Sequence, residues 1–145
     1  MTETINISFL ESLIGYNTRR ATLSLISTFI EQMKEFDLSP VDFSILSLIG
    51  HNPNITSKQI CSALNIQPPN IVAFIKAFHR KGLIVRSAHP TDGRATGLSL
   101  SSEGKVLMKK AEKMAIKSEM NVASNLNTFE VKALIELLQK IYKVV

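Results

Sequence analysis

The chain has 145 residues, 45% of them hydrophobic and 20% charged, and its 17 Lys and Arg against 12 Asp and Glu give a formal charge of +5; this is the size and make-up of one compact domain. A single cysteine excludes an internal disulfide framework and a multi-cysteine metal site, and no apolar run approaches the ~18 residues of a membrane span. The opening Met1-Thr2-Glu3-Thr4 has no basic stretch leading into an apolar core, so no secretory signal is expected, and an unpaired thiol without an export signal suits a reducing cytoplasm.

The first predicted element is a long helix over residues 7–36. Ile7, Leu10 and Ile14 open an apolar stripe that Ala21, Leu25 and Phe29 continue. Leu23, Ile26, Ile30 and Met33 widen it, as in a helix that meets neighbours on more than one side. Gly15 and Asn17 interrupt the stripe and predict a bend there. Ser39-Pro40-Val41-Asp42 then starts a second helix: Ser39 caps, Pro40 fits the first helical position and Asp42 lies in the first turn. Phe43, Ile45, Leu46, Leu48 and Ile49 fill this helix, which is expected to stop near Gly50.

After a loop at His51-Asn52-Pro53-Asn54, Thr56-Ser57-Lys58-Gln59 has the spacing of a capping box for a short helix to Leu64. Asn65 suits a left-handed stop. Gln67-Pro68-Pro69-Asn70 opens the next helix, which ends at Gly82 with Lys81 in its last turn. Leu83 to Arg86 is short and β-branched, His89-Pro90-Thr91-Asp92-Gly93-Arg94 is a turn with Asp-Gly as the hairpin signal, and Ala95 to Leu100 returns as the partner strand. Ser101 or Ser102 caps a lysine-rich helix reaching about Asn125. Asn127-Thr128-Phe129-Glu130 is another capping box by spacing. In the last helix Val131, Leu134, Leu138, Ile141 and Val145 recur at alternating intervals of three and four residues, an a/d seam. Ordinary core would have the same pattern; a dimer seam is favoured because a small helical domain has few places to bury so many separate stripes.

A hairpin directly after a helix-turn-helix is a winged helix. The expected fold is mainly α with a small β-hairpin wing: a winged helix-turn-helix over residues 37–101, with dimerisation helices at 5–36 and 102–145, in one domain spanning 1–145. The charge of the middle part suits a polyanion partner and, equally, a plain solvated face. Residues 43–102 hold Lys58, Lys76, Arg80, Lys81, Arg86 and Arg94 against Asp92 alone.

On the helix over 67–81, Ile71, Ile75 and Phe78, with Val72 beside them, fall on one side and are expected core. Pro69, Asn70, Ala73, Lys76, Ala77 and Arg80 fall opposite. The alanines allow close approach, Lys76 and Arg80 supply positive charge, and Asn70 and Gln67 suit bidentate contact with adenine, so this face fits a DNA major groove. Taken alone it would read as a solvated face; joined to the capped short helix and the hairpin, it reads as a DNA-binding face. The helix start at Thr56, Ser57 and Lys58 offers backbone N–H groups to a phosphate, besides plain capping. Arg94 at the wing tip suits the minor groove, and Arg86 on the strand joins the DNA-facing set. Asp92 repels phosphate, so it is expected to organise the wing by pairing with Arg86 or Arg94, or else to be a simple turn residue.

Three stretches in this order, Lys81-Gly82-Leu83-Ile84-Val85-Arg86, Asp92-Gly93-Arg94 and Leu100-Ser101-Ser102-Glu103-Gly104, resemble the MarR family of bacterial transcriptional regulators. The helix order and length match over nearly the whole chain. The resemblance implies a cytoplasmic homodimer that binds a palindromic double-stranded operator, represses, and is relieved by a small molecule. It makes Arg94 a minor-groove contact, Asp92 its organiser, and the start of the 67–81 helix the base reader. Pro68-Pro69 departs from the polar residues common there, which shifts base specificity toward Gln67, Asn70, Lys76 and DNA shape.

Gly15-Tyr16-Asn17-Thr18-Arg19-Arg20 resembles a stretch of family members that respond to aromatic acids or their coenzyme A thioesters. Arg19 or Arg20 could meet a carboxylate or phosphate and Tyr16 could stack on a ring. The plainer reading, slightly preferred, pairs both arginines with acids across the dimer. Cys61 raises a thiol-sensor alternative, with Lys58 three residues away, but it reads first as a small packing residue. No metal or other cofactor is required by any motif, no membrane partner is implied, and three scattered histidines (51, 79, 89) without a carboxylate pair argue against an enzyme. A protein-interaction module is the remaining rival; it would explain the terminal seam and not the basic wing.

Overall fold

The computed structural model describes residues 3–143. Val145, the last position of the seam, and the first two residues lie outside them. The chain forms two compact units, one drawn from 1–29 and 116–145 and the other Ile30–Ala115.

In the first unit, α1 (Ser8–Glu11) is separated by a break at Ser12 and Leu13 from α2 (Ile14–Met33), whose residues from Ile30 on are counted with the second unit. The break lies ahead of the bend expected at Gly15 and Asn17. Asn17 has a different part in it: its side-chain amide donates to the carbonyls of Glu11 and Leu13, both at 2.8 Å, and so satisfies acceptors that the broken helix leaves open. The last helix of the chain, α7 (Thr128–Tyr142), starts on a complete capping box: the Asn127 side chain accepts from the Glu130 N–H at 2.8 Å and the Glu130 carboxylate accepts from the Asn127 N–H at 3.0 Å. None of its residues is fully buried.

The second unit carries the core. A 3₁₀ turn, Lys34–Phe36, follows α2, and Asp37 ends it in the left-handed region. Then come α3 (Pro40–His51), α4 (Ser57–Leu64), α5 (Pro68–Arg80), β1 (Ile84–Ala88), β2 (Thr96–Leu100) and α6 (Ser102–Val122), whose residues from Ile116 on are counted with the first unit. Ser39 with Asp42 and Thr56 with Gln59 form the expected capping boxes, and Asn65 takes the left-handed stop. Helix α3 runs one residue past Gly50, and α6 ends at Val122, short of Asn125. Ile45, Leu46 and Ile49 of α3, Ile60 of α4, Ile71, Ile75 and Phe78 of α5, Ile84 and Leu98 of the hairpin, and Met108 and Ala111 of α6 are buried. Val72 is not among them. It is 49% exposed: expected in the core, it lies at the margin of the buried arc, where no neighbour covers it.

The strands pair antiparallel from Ile84 opposite Leu100 to Ala88 opposite Thr96. They extend two residues further toward the tip on β1 than expected. Two knots hold this hairpin to the helices. At its base, the Ser101 hydroxyl donates to the Gly82 carbonyl at 2.6 Å and accepts from the Gly104 N–H at 3.0 Å, while the Ser101 N–H donates to the Leu83 carbonyl at 2.9 Å. Gly82 has φ +72°, which favours glycine. The Gly82-Leu83 and Ser101-to-Gly104 stretches singled out in the sequence are thus two halves of one joint. On the flank, Asn54 donates its N–H to the Ser99 hydroxyl, its side-chain oxygen accepts from the Ser87 hydroxyl, both at 3.0 Å, and Ile55 bridges Leu98.

Candidate nucleic-acid interface

Burial divides α5 into two faces. Ile71, Ile75 and Phe78 are turned into the unit, and Pro69, Asn70, Ala73, Lys76 and Arg80 are exposed, with Ala77 half-buried. Five of the six residues that helical periodicity grouped are thus exposed, and Pro68, Val72 and His79 are exposed besides. Gln67 is exposed at the N-cap and its side chain makes no capping bond. At the start of α4, Lys58 is exposed, while Thr56 and Ser57 are half-buried. The Thr56 hydroxyl is engaged with the Gln59 N–H at 3.2 Å, so its first task is the cap.

The wing loop is ordered from within. Nδ1 of His89 accepts the N–H groups of Thr91 at 3.3 Å and Asp92 at 3.1 Å, and Oδ1 of Asp92 accepts the N–H of Arg94 at 3.1 Å. Asp92 therefore organises the turn through the backbone of Arg94. The expected ion pair with Arg86 or Arg94 is not formed; among the described residues the ion pairs are Lys34–Glu31 and Lys81–Asp37, and Nε2 of His51 is hydrogen-bonded to Glu112 at 2.9 Å. The guanidinium groups of both arginines stay unpaired, and both residues are exposed. The residue order places His89 at the start of this turn without indicating that its ring would hold the turn's backbone.

Tyr16, Arg19 and Arg20 lie on successive turns of α2, Tyr16 half-buried and both arginines exposed. The two clefts described in the Ile30–Ala115 unit, one lined by Asn54, Gln59 and His89 and the other by Phe36, Glu103 and Lys110, include none of the three. Cys61 is half-buried on α4, and its carbonyl accepts the N–H of Ile66 at 3.0 Å. The described residues contain no cluster of side chains suited to a metal and no helix long and apolar enough to cross a membrane.

A transcriptional repressor, CouR, solved bound to a 23-mer DNA duplex, superposes on this chain with a TM-score of 0.87 and 31% identity, over 96% of this chain and 99% of that one. The MarR family model matches residues 38–96. The chain belongs to the MarR family. Its members are transcriptional regulators and not enzymes. A protein of Thauera aromatica named for transcriptional regulation of an hcr operon is 24% identical over 131 residues, 90% of this chain and 79% of its own length. CouR from Rhodococcus jostii RHA1 bound to p-coumaroyl-CoA shares the fold at a TM-score of 0.85 and 19% identity, over 94% of this chain and 96% of that one.

For this MarR-family wing, the Asp92 geometry makes a direct prediction. Asp92→Asn keeps the oxygen acceptor for Arg94 and removes a charge that repels phosphate, so it is expected to bind duplex DNA at least as tightly as the parent. Asp92→Ala loses the acceptor and is expected to bind roughly fivefold more weakly, the worth of about one hydrogen bond. Fluorescence anisotropy separates the two. Equal weakening by both would mean that the carboxylate charge, and not the turn, is what matters.

Proposed function

We propose that this regulator is a cytoplasmic homodimeric repressor that binds a palindromic operator through residues 37–101 and is released by a small acidic ligand. The observation that carries the proposal is the exposed face of α5, where Asn70, Ala73, Lys76 and Arg80 stand together on a helix whose other side is core. Small residues let a helix enter a major groove and the cations flank it toward phosphate. In this reading Gln67, Pro69, Asn70, Ala73 and Lys76 face bases. Arg80, Lys58 and the start of α4 at Thr56 and Ser57 meet the backbone, and Arg86 and Arg94 carry the wing.

The segments 5–36 and 102–145 supply the dimer. Leu134, Leu138 and Ile141 are 45%, 36% and 57% exposed on a single chain, with Val131 half-buried beside them. A stripe this apolar calls for a covering surface, and a second copy gives the two-fold symmetry that a palindrome mirrors. For the ligand, an aromatic acid or its coenzyme A thioester fits Tyr16 as a stacking ring and Arg19 or Arg20 as the anion partner. The p-coumaroyl-CoA held by a regulator of the same fold belongs to that class.

The test is fluorescence anisotropy against duplex from upstream of the protein's own reading frame, at two salt concentrations, with scrambled duplex as control. Sequence-preferring binding that falls steeply with salt is expected, because displaced phosphate counterions enter the equilibrium. Loss of preference at both salts would overturn the operator reading, and salt-insensitive binding would favour an apolar docking module. Arg94→Ala is expected to weaken operator binding about tenfold and to flatten the salt dependence by roughly two counterions, one for each protomer, with thermal unfolding unchanged. Parent-like affinity in that variant would remove the wing from the interface. Release of the duplex by p-coumaroyl-CoA or a simple aromatic acid, in the same assay, tests the ligand class.

A further inference from the structure

The N-terminal end of α5 has a character that positive charge does not account for. Pro68, Pro69, Val72 and Ala73 are all exposed there, and Val72 is nearly half open to solvent. Residues three and four apart share a helix face, so Pro68 with Val72, Pro69 with Val72 and Pro69 with Ala73 make one apolar strip over the first two turns. Single exposed apolar side chains are ordinary on any surface. A contiguous strip on the end of a helix that enters a groove is a different matter, because that end is the part that reaches base edges.

The backbone of this turn also lacks free donors. Pro68 and Pro69 have no N–H, and the N–H of Asn70 donates to the Gln67 carbonyl at 2.9 Å. The strip therefore has almost nothing with which to read the donors and acceptors of a base pair. What it can meet is the one apolar group that bases present in the major groove, the 5-methyl of thymine. Lys76 and Arg80 continue the same exposed side of the helix, which suits a polyanion and not an apolar protein surface.

We propose that Val72, seated between Pro68 and Pro69, is a specificity residue that reads thymine methyl groups in the operator. The assignment rests on α5 being the base-reading helix, and it adds a residue whose neighbours toward the core had hidden its part. Asn70 remains the polar reader of the same turn.

The experiment uses the full-length protein to select duplexes from a random-sequence pool. The enriched duplex is then resynthesised with uracil in place of thymine, one position at a time. Uracil pairs as thymine does and lacks only the methyl. At one or more thymines of each half-site, uracil is expected to weaken binding about fourfold, the worth of one buried methyl-sized group. Val72→Ala is expected to bind the thymine duplex about as weakly, and to bind the thymine and uracil duplexes equally at that position. This coupling separates a contact with Val72 from any effect of the methyl on DNA shape. Val72 lies on the surface, so its truncation leaves the core intact, and thermal unfolding checks this. Uracil that costs nothing at any position, or costs the parent and Val72→Ala the same, overturns the proposal and leaves α5 as a DNA-binding helix. A pool that shows no enrichment overturns the DNA reading and this proposal together.

Discussion

Glutamate at both Leu134 and Leu138 is expected to turn the proposed dimer into monomers and to weaken binding to a duplex with two half-sites by about 100-fold or more. The two residues stand one turn apart on α7, both substantially exposed on the single chain. Placed opposite their symmetry mates, four added carboxylates would face one another across an apolar surface, where like charges repel strongly. The DNA effect follows from linkage: joined half-site readers gain from a high effective concentration, typically ~10²–10⁴, and separate ones do not. Sedimentation velocity reads the first effect and anisotropy the second. A variant that folds and still sediments as a dimer would show that α7 is not the seam.

The second large effect is expected at the joint between hairpin and α6. A Cβ on Gly104 would sit inside the van der Waals envelope of the Leu83 carbonyl oxygen and 3.1 Å from its carbon. That carbonyl is backbone and already accepts the Ser101 N–H, so it has no inexpensive way to give. Gly104→Ala must push β1 away from α6 or break the Ser101 bonds, at about 3 kcal/mol, or about 10 °C in Tm for a chain of this size. Gly15→Ala is the matched control. An added Cβ there meets nothing within 4 Å, inside a helix, so it is expected to range from neutral to about 1 kcal/mol stabilising. Urea unfolding of both variants measures the contrast, and equal stabilities would mean that the joint yields freely.

What could be read from residue order alone was whatever is settled within four residues. The caps at Ser39, Thr56 and Asn127 each need a partner three positions on, and all three formed. The exposed face of α5 followed from periodicity, because a 13-residue amphipathic helix has only one way to bury Ile71, Ile75 and Phe78. Val72 was misplaced for the same reason: it lies at the margin of that arc, where burial depends on what stands opposite and not on rotation. Other features depended on distant partners and left no local trace. Asn54 is 45 residues from Ser99 and 33 from Ser87, yet it ties the flank of the wing. The part of Asp92 was half legible: the turn chemistry of Asp-Gly was plain, and the choice of the Arg94 N–H over a guanidinium is a matter of loop geometry. The helix break ahead of Gly15 is likewise set by where the Asn17 amide can reach back.

The exposed leucines and isoleucines of α7 also bear on how much of this protein a cell needs before it has any to use. If a second copy covers them, a lone chain is the less stable species, and association and folding share one equilibrium. The melting temperature would then rise with protein concentration. Dilution alone would thin the active species faster than in proportion, since halving the total chain lowers the dimer by up to fourfold where monomers predominate. A regulator built this way has a threshold in its own abundance, set by the apolar stripe at its C-terminal end, before any ligand or operator enters the account.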